Sequence, residues 1–382
     1  MGKKTRPGLY LHIPFCQSKC GYCDFYSVTD LSMRSDFLRA LKNEIMLHSE
    51  LAGSDTLFDT IYLGGGTPSL LEPTQVENIL RQLNDCFDID PGAEITIEVN
   101  PGTANQEKLD AFSLAGVNRL SIGVQSFNDH LLRQLQRLHT AEQAREAIIA
   151  GRKAGFKNIS LDFIYGVPGQ SRLEWQNTLR TAIGFEPEHI SAYSLIIEPD
   201  TPFYWLKQNG HLQVSNEDLI ADYFSDTREI LCQNTYLHYE ISNYARSDLL
   251  ISRHNAKYWD HTPYIGFGPA AHSFWQNRRW GNHRSLEAYI KSLLSHKPAS
   301  AFNEKLELSD LVAEHILLAL RTSKGINISE FNKKYNINFL NKFGSAVRRM
   351  INSKHAILSE DSFVLTEKGM LICDELTLQF AL

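Results

Sequence analysis

Short apolar runs recur along the first half of the chain, and segments with helical spacing lie between them. The apolar runs predict strands over residues 9–13, 59–63, 94–99, 119–124, 159–164 and 189–196. The helical spacing predicts helices over residues 31–50, 73–85, 105–115, 128–136, 141–154 and 172–184. Such alternation predicts right-handed crossovers and a parallel sheet, either an open doubly wound sheet or an incomplete barrel.

The pattern is less regular after residue 200. It predicts a helix over residues 216–233 and a strand over 239–244. From residue 303 it predicts helices over 309–322, 329–334 and 338–352, a hairpin that turns at 360–362, and a last helix from about 367. Three helices and a hairpin indicate a winged-helix-like domain. We therefore expect a sheet domain over residues 1–236, an aromatic and histidine-rich region over 237–302, and a small domain over 303–382.

The composition narrows the function classes. Of the 382 residues, 43% are hydrophobic and 21% are charged, which is typical of a globular protein. The net charge of −6 argues against a general nucleic-acid binder, and residues 303–382 carry ten Lys/Arg and ten Asp/Glu, so the winged-helix-like domain has no net positive charge either. We expect this domain to pack over the mouth of the sheet domain or to meet a protein partner.

The sequence also indicates the compartment in which the chain is expected. No apolar stretch reaches the ~18 residues that a membrane span needs, and the basic start MGKKTRPG is not followed by an apolar segment. We expect a cytoplasmic chain that is not an integral membrane protein. Cys86, Cys232 and Cys373 are far apart in apolar surroundings, which predicts buried free thiols in a reducing compartment. The oligomeric state is open, with a homodimer among the alternatives.

The other three cysteines form a cluster directly after the first predicted strand. Cys16, Cys20 and Cys23 have the spacing C-x3-C-x2-C. Three thiolates on one short loop can hold three corners of a 4Fe–4S cluster, which leaves one iron open to an amine and a carboxylate. A structural zinc ion would need a fourth ligand from elsewhere, and a zinc-stabilised binding module is the open alternative.

Polar and glycine residues follow several predicted strands. Gly64–Thr67 reads GGGT after the second strand, Glu98 and Gln125 end the third and fourth strands, and Asp162 lies on the fifth. Each residue alone is an ordinary polar or turn residue. Because the carboxyl ends of parallel strands meet at one edge of a sheet, the set together indicates a binding site there.

These motifs resemble a known superfamily. LYLHIPFC, CGYCDFYS and GGGTPS resemble the cluster loop and glycine motif of the radical S-adenosylmethionine superfamily, in its coproporphyrinogen III oxidase-related branch, and the match spans about residues 8–200. The resemblance implies an incomplete (β/α)6 barrel with a 4Fe–4S cluster on Cys16, Cys20 and Cys23. It also implies contacts with S-adenosylmethionine from Tyr10, Tyr22, Gly65, Gly66, Thr67, Glu98, Gln125, Arg137 and Asp162. Whether the chain uses radical chemistry is a separate question.

A second motif lies in the aromatic and histidine-rich region. Histidine with flat aromatic residues suits a porphyrin pocket, and surface histidines with core tryptophans are the ordinary alternative. The segment HNAKYWD, residues 254–260, resembles the HNxxYW motif of HemW-type haem chaperones. The resemblance implies haem contacts from His254, Asn255, Tyr258 and Trp259, with His254 as the first candidate for the haem iron and His272 as the second.

The residue two positions after Cys23 distinguishes between two hypotheses for the function. It is Phe25 here, whereas the oxygen-independent oxidases of this branch carry a fourth cysteine there. The leading hypothesis is therefore a haem chaperone that carries a 4Fe–4S cluster and S-adenosylmethionine and passes haem to an acceptor protein that the sequence does not identify. The alternative is an oxygen-independent coproporphyrinogen III oxidase, which converts propionates to vinyl groups.

Overall fold

The computed structural model describes residues 5–53 and 56–380, so the first four residues of the basic start and the last two residues of the chain lie outside the described part. Its first half alternates strands and helices, as predicted. The elements are β1 (Gly8–Ile13), α1 (Arg34–Ser49), β2 (Leu57–Gly65), α2 (Pro73–Cys86), β3 (Asp88–Val99), α3 (Gln106–Leu114), β4 (Arg119–Gln125), α4 (Asp129–Gln134), α5 (Ala141–Lys153), β5 (Ile159–Tyr165), α6 (Arg172–Gly184) and β6 (His189–Ser194).

Strands β1 to β6 lie side by side in chain order, and each neighbouring pair is parallel. Side chains alternate across the sheet, so Leu9 and Leu11 of β1 pack in the core while Tyr10 between them lies on the other face. The predicted parallel sheet with crossover helices is therefore confirmed.

Later elements extend both edges of this sheet. They are α7 (Pro202–Gln208), α8 (Glu217–Gln233), β7 (Leu237–Glu240), β8 (Asn243–Ala245), α9 (Arg253–Trp259), β9 (Tyr264–Phe267), β10 (His272–Trp275), β11 (Arg278–Asn282), α10 (Leu286–Leu294) and β12 (Ser300–Lys305). Strand β9 adds to β1 in parallel and is followed by β10, β11 and β12, whereas β8 and then β7 add to β6. Within the described residues the sheet has twelve strands, and its end strands β12 and β7 do not pair with each other.

The single strand predicted over residues 239–244 is wrong. The chain reverses at Ile241 and Ser242 to form the hairpin of β7 and β8. The Glu240 carboxylate accepts hydrogen bonds from the backbone N–H of Ser242, at 2.9 Å, and from the Asn243 side chain, and these bonds close the turn. An acidic side chain that caps its own turn is not visible in an alternating apolar pattern.

The sheet curls around an interior lined by polar and aromatic side chains. Tyr62 on β2 and Tyr193 on β6 are four strands apart, a distance of about 19 Å in a flat sheet. Burial raises the pKa of Tyr62 well above its ordinary value. The charges of Glu98, Asp162 and Tyr193 raise this pKa further, although Tyr193 lies four strands away. Groups on distant strands therefore face one another across an incomplete barrel.

A separate unit follows the barrel. Its elements are α11 (Leu308–Leu320), β13 (Ile326–Asn327), α12 (Ile328–Tyr335), α13 (Phe339–Asn352), β14 (Ala356–Leu358), β15 (Ser362–Leu365), α14 (Glu367–Leu371) and α15 (Cys373–Thr377). The three predicted helices and the hairpin are present, and β13 joins the hairpin as a third strand. The unit has its own apolar core around Phe331, Phe339 and Phe363. No helix of the described chain is both long enough and apolar enough to span a membrane.

Candidate functional site

The cysteine loop leaves β1 and returns beside it. The backbone N–H of Val28 donates to Pro14 at 2.7 Å, and that of Cys16 donates to Val28 at 2.9 Å, so both ends of the loop are held together. Within the loop, the N–H of Cys23 donates to the carbonyl of Cys20 at 3.1 Å. The three thiols therefore lie at the carboxyl edge of the barrel strands.

Two side chains from other loops at this edge approach these sulfur atoms, Thr67 after β2 and Arg137 after α4. The Thr67 hydroxyl lies 3.5 Å from Sγ of Cys16, and Nη1 of Arg137 lies 3.6 Å from Sγ of Cys20. Burial raises the pKa of Cys23 to about 11, and the charges of Cys20 and Cys16 act in the same direction. Hydrogen-bond donors beside clustered thiolates fit an iron–sulfur centre, whose potential such donors tune.

The donor set differs from that of a single metal ion. Among the described residues, no three His, Cys, Asp or Glu side chains converge as ligands of one ion. Thiolates of a 4Fe–4S cluster bind different irons and so surround a volume rather than a point. The three cysteines fit that arrangement.

The glycine turn after β2 closes against the cysteine loop. Gly65 has φ = 108°, a backbone conformation that favours glycine, and a Cβ there would meet the His12 ring at 2.6 Å. A Cβ on Gly66 would lie 2.7 Å from the Phe15 carbonyl oxygen and 3.1 Å from Sγ of Cys16. Only glycine leaves this space free, so the turn can cradle a small ligand beside the thiolates.

Glu98 supports the same turn from β3. Its carboxylate accepts hydrogen bonds from the Gly65 N–H at 3.1 Å and from the Tyr62 hydroxyl at 2.9 Å. Burial raises the pKa of Glu98 to about 7. A carboxylate poised in this way can change its charge when a cation approaches.

Gln125 and Arg137 meet at the end of β4. Gln125 has φ = 61°, an uncommon conformation for a residue other than glycine, and its backbone strain is of the order of 1–3 kcal/mol. Nη2 of Arg137 donates to Oδ1 of Asn100 at 2.6 Å and to the Gly123 carbonyl at 3.3 Å. Strand ends β3 and β4 are therefore tied to the cysteine loop through one guanidinium.

Asp162 is held differently from the other predicted residues. Its carboxylate accepts hydrogen bonds from the hydroxyls of Ser121 at 2.7 Å, Ser160 at 3.0 Å and Ser191 at 2.7 Å. These three bonds fix the carboxylate between β4, β5 and β6. Asp162 therefore joins three neighbouring strands of the barrel wall.

The two predicted tyrosines lie in different places. The Tyr10 ring stacks on Tyr62 inside the barrel with centroids 6.2 Å apart, and its hydroxyl lies 3.2 Å from Nδ1 of His12. Tyr22 lies in the cysteine loop and meets Phe203 edge-on at 6.2 Å. Tyr22 therefore borders the thiol cluster, whereas Tyr10 lies deeper.

The HNAKYW motif forms α9, which plugs the amino end of the barrel. His254 is 1% exposed, and its backbone N–H donates to Glu94 at 3.0 Å. Its ring nitrogens lie 2.9 Å from the Thr60 hydroxyl and 3.0 Å from the Tyr258 hydroxyl. Burial lowers the pKa of His254 to about 3, so the ring is neutral. Both nitrogens have partners here, and iron binding by His254 requires the Tyr258 contact to open.

The other motif residues face the C-terminal unit. The Arg321 guanidinium of that unit lies over the Trp259 ring, 4.9 Å from its centroid, while Asn255 is half-buried. Tyr258 meets Tyr264 edge-on at 4.7 Å and lines a cavity of about 230 Å³ beside α11. Helix α9 thus contacts both the barrel interior and the C-terminal unit.

His272 and Phe25 lie apart from α9. His272 is exposed on β10, and its ring lies 5.6 Å from that of Phe302. Phe25 is 67% exposed in the cysteine loop, where it presents an apolar ring to solvent. The structure therefore does not bring His272 and His254 together.

Sequence reasoning missed several interior residues. Arg119 is 1% exposed, and its Nε and Nη1 atoms have no hydrogen-bond partner among the described residues. Thr60 and Asn100 orient His254 and Arg137 through the contacts given above. Each lies on or directly after an apolar strand, where nothing but the inward alternation of side chains marks it.

Comparison with known proteins places this site in a family. Residues 10–182 match the family model of the Radical SAM superfamily, and residues 306–372 match that of the HemN C-terminal domain. The chain is 33% identical to Heme chaperone HemW of Lactococcus lactis subsp. lactis (strain IL1403), over 94% of this chain and 93% of the relative. It is also 33% identical to Heme chaperone HemW of Bacillus subtilis (strain 168), over 96% and 97% of the two chains.

A solved structure gives the same fold. Coproporphyrinogen III oxidase (HemN) from Escherichia coli, described as a radical SAM enzyme, superposes with a TM-score of 0.85. The alignment covers 98% of this chain and 90% of that one at 23% identity. This likeness concerns the fold, and the closer sequence relatives carry the chaperone name.

Proposed function

Because this chain belongs to the HemW family of the radical S-adenosylmethionine superfamily, we propose that it is a haem chaperone that binds haem and passes it to an acceptor protein. The observation that carries the proposal is the nearly full-length match to Heme chaperone HemW proteins of two bacteria, which includes both the barrel and the C-terminal unit. Helix α9, which bears the HNxxYW motif, lies where these two parts meet.

The three thiolates of Cys16, Cys20 and Cys23 would hold a 4Fe–4S cluster, which supplies one-electron chemistry when bound. Thr67 and Arg137 would donate to the cysteine sulfurs and so stabilise their negative charge. The exposed Phe25 ring beside the loop offers no further thiolate.

S-adenosylmethionine would lie between the glycine turn and the strand ends. Gly65, Gly66 and Thr67 would line its methionine end, since their turn leaves space beside Cys16 that a Cβ would fill. The Glu98 carboxyl, whose pKa is raised to about 7, would accept a hydrogen bond from the ammonium group of S-adenosylmethionine. Further contacts would come from Tyr10, Tyr22, Gln125, Arg137 and Asp162. The Asp162 carboxylate already accepts hydrogen bonds from serine hydroxyls, so it would have to contact S-adenosylmethionine beside these partners.

Haem would bind at helix α9. Tyr258 lines the cavity between the barrel and α11, His254 and Trp259 hold the helix in position, and Asn255 would be a further contact. The prediction that His254 binds the iron stays a prediction, because its Nε2 atom is within hydrogen-bond distance of Tyr258 in this conformation.

The oxidase alternative is not favoured. The relatives that match over nearly the full length are named heme chaperones, and the likeness to the oxidase structure at 23% identity shows the fold alone. A retained cofactor site is compatible with a chaperone in which the cluster and S-adenosylmethionine regulate haem release rather than oxidise a porphyrinogen.

A haem titration tests the proposal. The full chain is reconstituted anaerobically with iron and sulfide, and ferric haem is added while the Soret band is recorded. We expect saturation at about one haem per chain and no new vinyl groups when coproporphyrinogen III is supplied with S-adenosylmethionine and a reductant. Conversion of coproporphyrinogen III without saturable haem binding would replace the chaperone proposal with the oxidase.

A further inference from the structure

A cavity of about 230 Å³ lies where the barrel meets the C-terminal unit. Its barrel side is formed by α9, β9 and β10, and its other side by α11. Flat rings dominate the wall, namely Tyr258, His261, Tyr264 and Phe274, and the aliphatic Leu317 lies on α11. We propose that this cleft, called here the α9–α11 cleft, is the haem site and that His261 binds the haem iron. The inference rests on the proposed function.

His261 is presented to the cleft by an unusual backbone. It follows the last turn of α9 with φ = 52°, a position where glycine or asparagine is the usual residue. The chain tolerates the backbone strain of a larger side chain at this position. The strain places an imidazole against α11, directly after the HNAKYWD segment.

The His261 ring is buried and lies flat against a neighbour. It stacks on Phe274 with centroids 4.4 Å apart and planes inclined by 7°. Its Nε2 atom lies 3.2 Å from Oε2 of Glu314 on α11, so this contact must open before the nitrogen can reach an iron atom. A ring fixed by stacking, with one nitrogen directed at the wall of the cleft, is a suitable axial ligand that would replace a water molecule on the ferric iron.

The shape and charge of the cleft agree with one edge of a porphyrin. The volume is below the about 300–1,000 Å³ of typical small-molecule sites, so a porphyrin enters partly and keeps one edge in solvent. Arg279 at the rim is already paired with Glu314 at 2.6 Å and with Glu304 at 2.7 Å. Because the Arg279 charge in the cleft is already neutralised, we expect the apolar edge of the porphyrin to enter, and the exposed propionate edge then suits handover to an acceptor.

The cleft also explains why the motif and the C-terminal unit occur together. Helix α11 supplies one wall through Glu314 and Leu317, and α9 supplies the other through Tyr258. Tyr264 of β9 lines the same space. Removing either wall would leave the imidazole of His261 on an open surface.

Haem titration of matched variants tests the assignment. His261→Asn keeps a residue that tolerates the left-handed backbone. Leu317→Trp fills the cleft from its 40% exposed rim, and Leu114→Trp, at an 89% exposed position on α3, is the control. We expect His261→Asn and Leu317→Trp to weaken haem binding at least tenfold, His261→Asn to shift the Soret band, and Leu114→Trp to bind as the wild type does.

Three results would decide between the alternatives. Wild-type binding in both His261→Asn and Leu317→Trp, with loss in His254→Ala or His272→Ala, would overturn the cleft assignment and leave the chaperone proposal standing. Absence of haem binding by the wild type would overturn both. Circular dichroism and the midpoint of thermal unfolding identify a variant that fails to fold, in which case His261→Gln is titrated instead and the same criterion applies.

Discussion

The imidazole of His254 lies between two hydroxyls, with Nε2 3.0 Å from Tyr258 and Nδ1 2.9 Å from Thr60. Its ring also stacks on Tyr62, with centroids 5.2 Å apart. Because Tyr62 donates to Glu98, and Glu98 accepts from Gly65, three successive contacts connect the histidine of α9 with the glycine turn. The motif that characterises the family is therefore built into the floor of the cofactor barrel.

The pairing of His254 with Tyr258 predicts a coupled loss of stability. We expect His254→Ala to lower the free energy of unfolding by about 2–4 kcal/mol, because buried partners are left without hydrogen bonds. Tyr258→Phe removes one hydroxyl and should cost about 1 kcal/mol. Urea unfolding of both variants and of the double variant gives the coupling energy, expected at about 1 kcal/mol. Strict additivity would show that the contact contributes nothing.

The cysteine loop predicts that three of the six cysteines are needed for the cluster and that the other three are not. Alanine at Cys16, Cys20 or Cys23 should abolish the brown colour of anaerobically reconstituted protein and the stoichiometric iron and acid-labile sulfide. Cys232→Ala is the matched control, because this thiol is exposed on α8, where the sequence wrongly predicted a buried one. Iron and sulfide analysis of the four variants is the measurement. Full cluster content in any of the three loop variants would remove that cysteine from the ligand set.

The glycine turn predicts an effect of a single methyl group. Gly66→Ala places a Cβ within 2.7 Å of the Phe15 carbonyl oxygen, so the turn must move away from the cysteine loop. We expect at least a tenfold loss of S-adenosylmethionine affinity in equilibrium dialysis. Gly184→Ala is the control, since a Cβ there meets no atom within 4 Å. If both variants bind S-adenosylmethionine equally well, the turn is not its cradle.

A buried carboxyl outside the site predicts a pH dependence of stability. Glu44 on α1 accepts hydrogen bonds from Tyr289 at 2.6 Å, Asn282 at 2.6 Å and the Gly268 N–H at 2.8 Å, which join α1 to β9, β11 and α10. Burial raises the pKa of Glu44 to about 7. Between its unfolded value of about 4.3 and this value, only the native state holds the proton.

The free energy of unfolding should therefore decrease as pH rises from about 4.5 to 7, by up to about 3 kcal/mol from this group. Glu44→Gln cannot titrate, so its stability curve should be flatter over the same range. Asp36→Asn, at an exposed position of the same helix, serves as the control. Urea unfolding at several pH values gives the slopes, and equal slopes for wild type and Glu44→Gln would contradict the assignment.

The alternating pattern was sufficient for the parallel sheet, and the family resemblance implied the incomplete barrel, but neither revealed the groups inside it. Strands β1 to β6 and the helices between them follow directly from apolar spacing, because each strand has one face against the helices. Glu44 shows the limit. It precedes Ile45 on an amphipathic helix and resembles a solvent-exposed charge, and only the distant Tyr289 and Asn282 make it an interior group.

The motif after residue 250 shows a second limit. The sequence identified His254, Tyr258 and Trp259 as a group, but spacing alone did not show that the helix turns His254 into the barrel and Trp259 toward Arg321. Nor did it distinguish His261, one residue beyond the motif, since its left-handed backbone depends on the end of α9. Partners far apart in sequence decide the role of each ring.

The most direct test of the account is haem transfer. The full chain, reconstituted anaerobically and loaded with haem, is separated from free haem and mixed with apomyoglobin as a generic acceptor, while the Soret spectrum is followed. We expect about one haem per chain before mixing and its complete appearance on myoglobin afterwards. Failure of the chain to retain haem through the separation, or a retained haem that never leaves, would contradict the chaperone function.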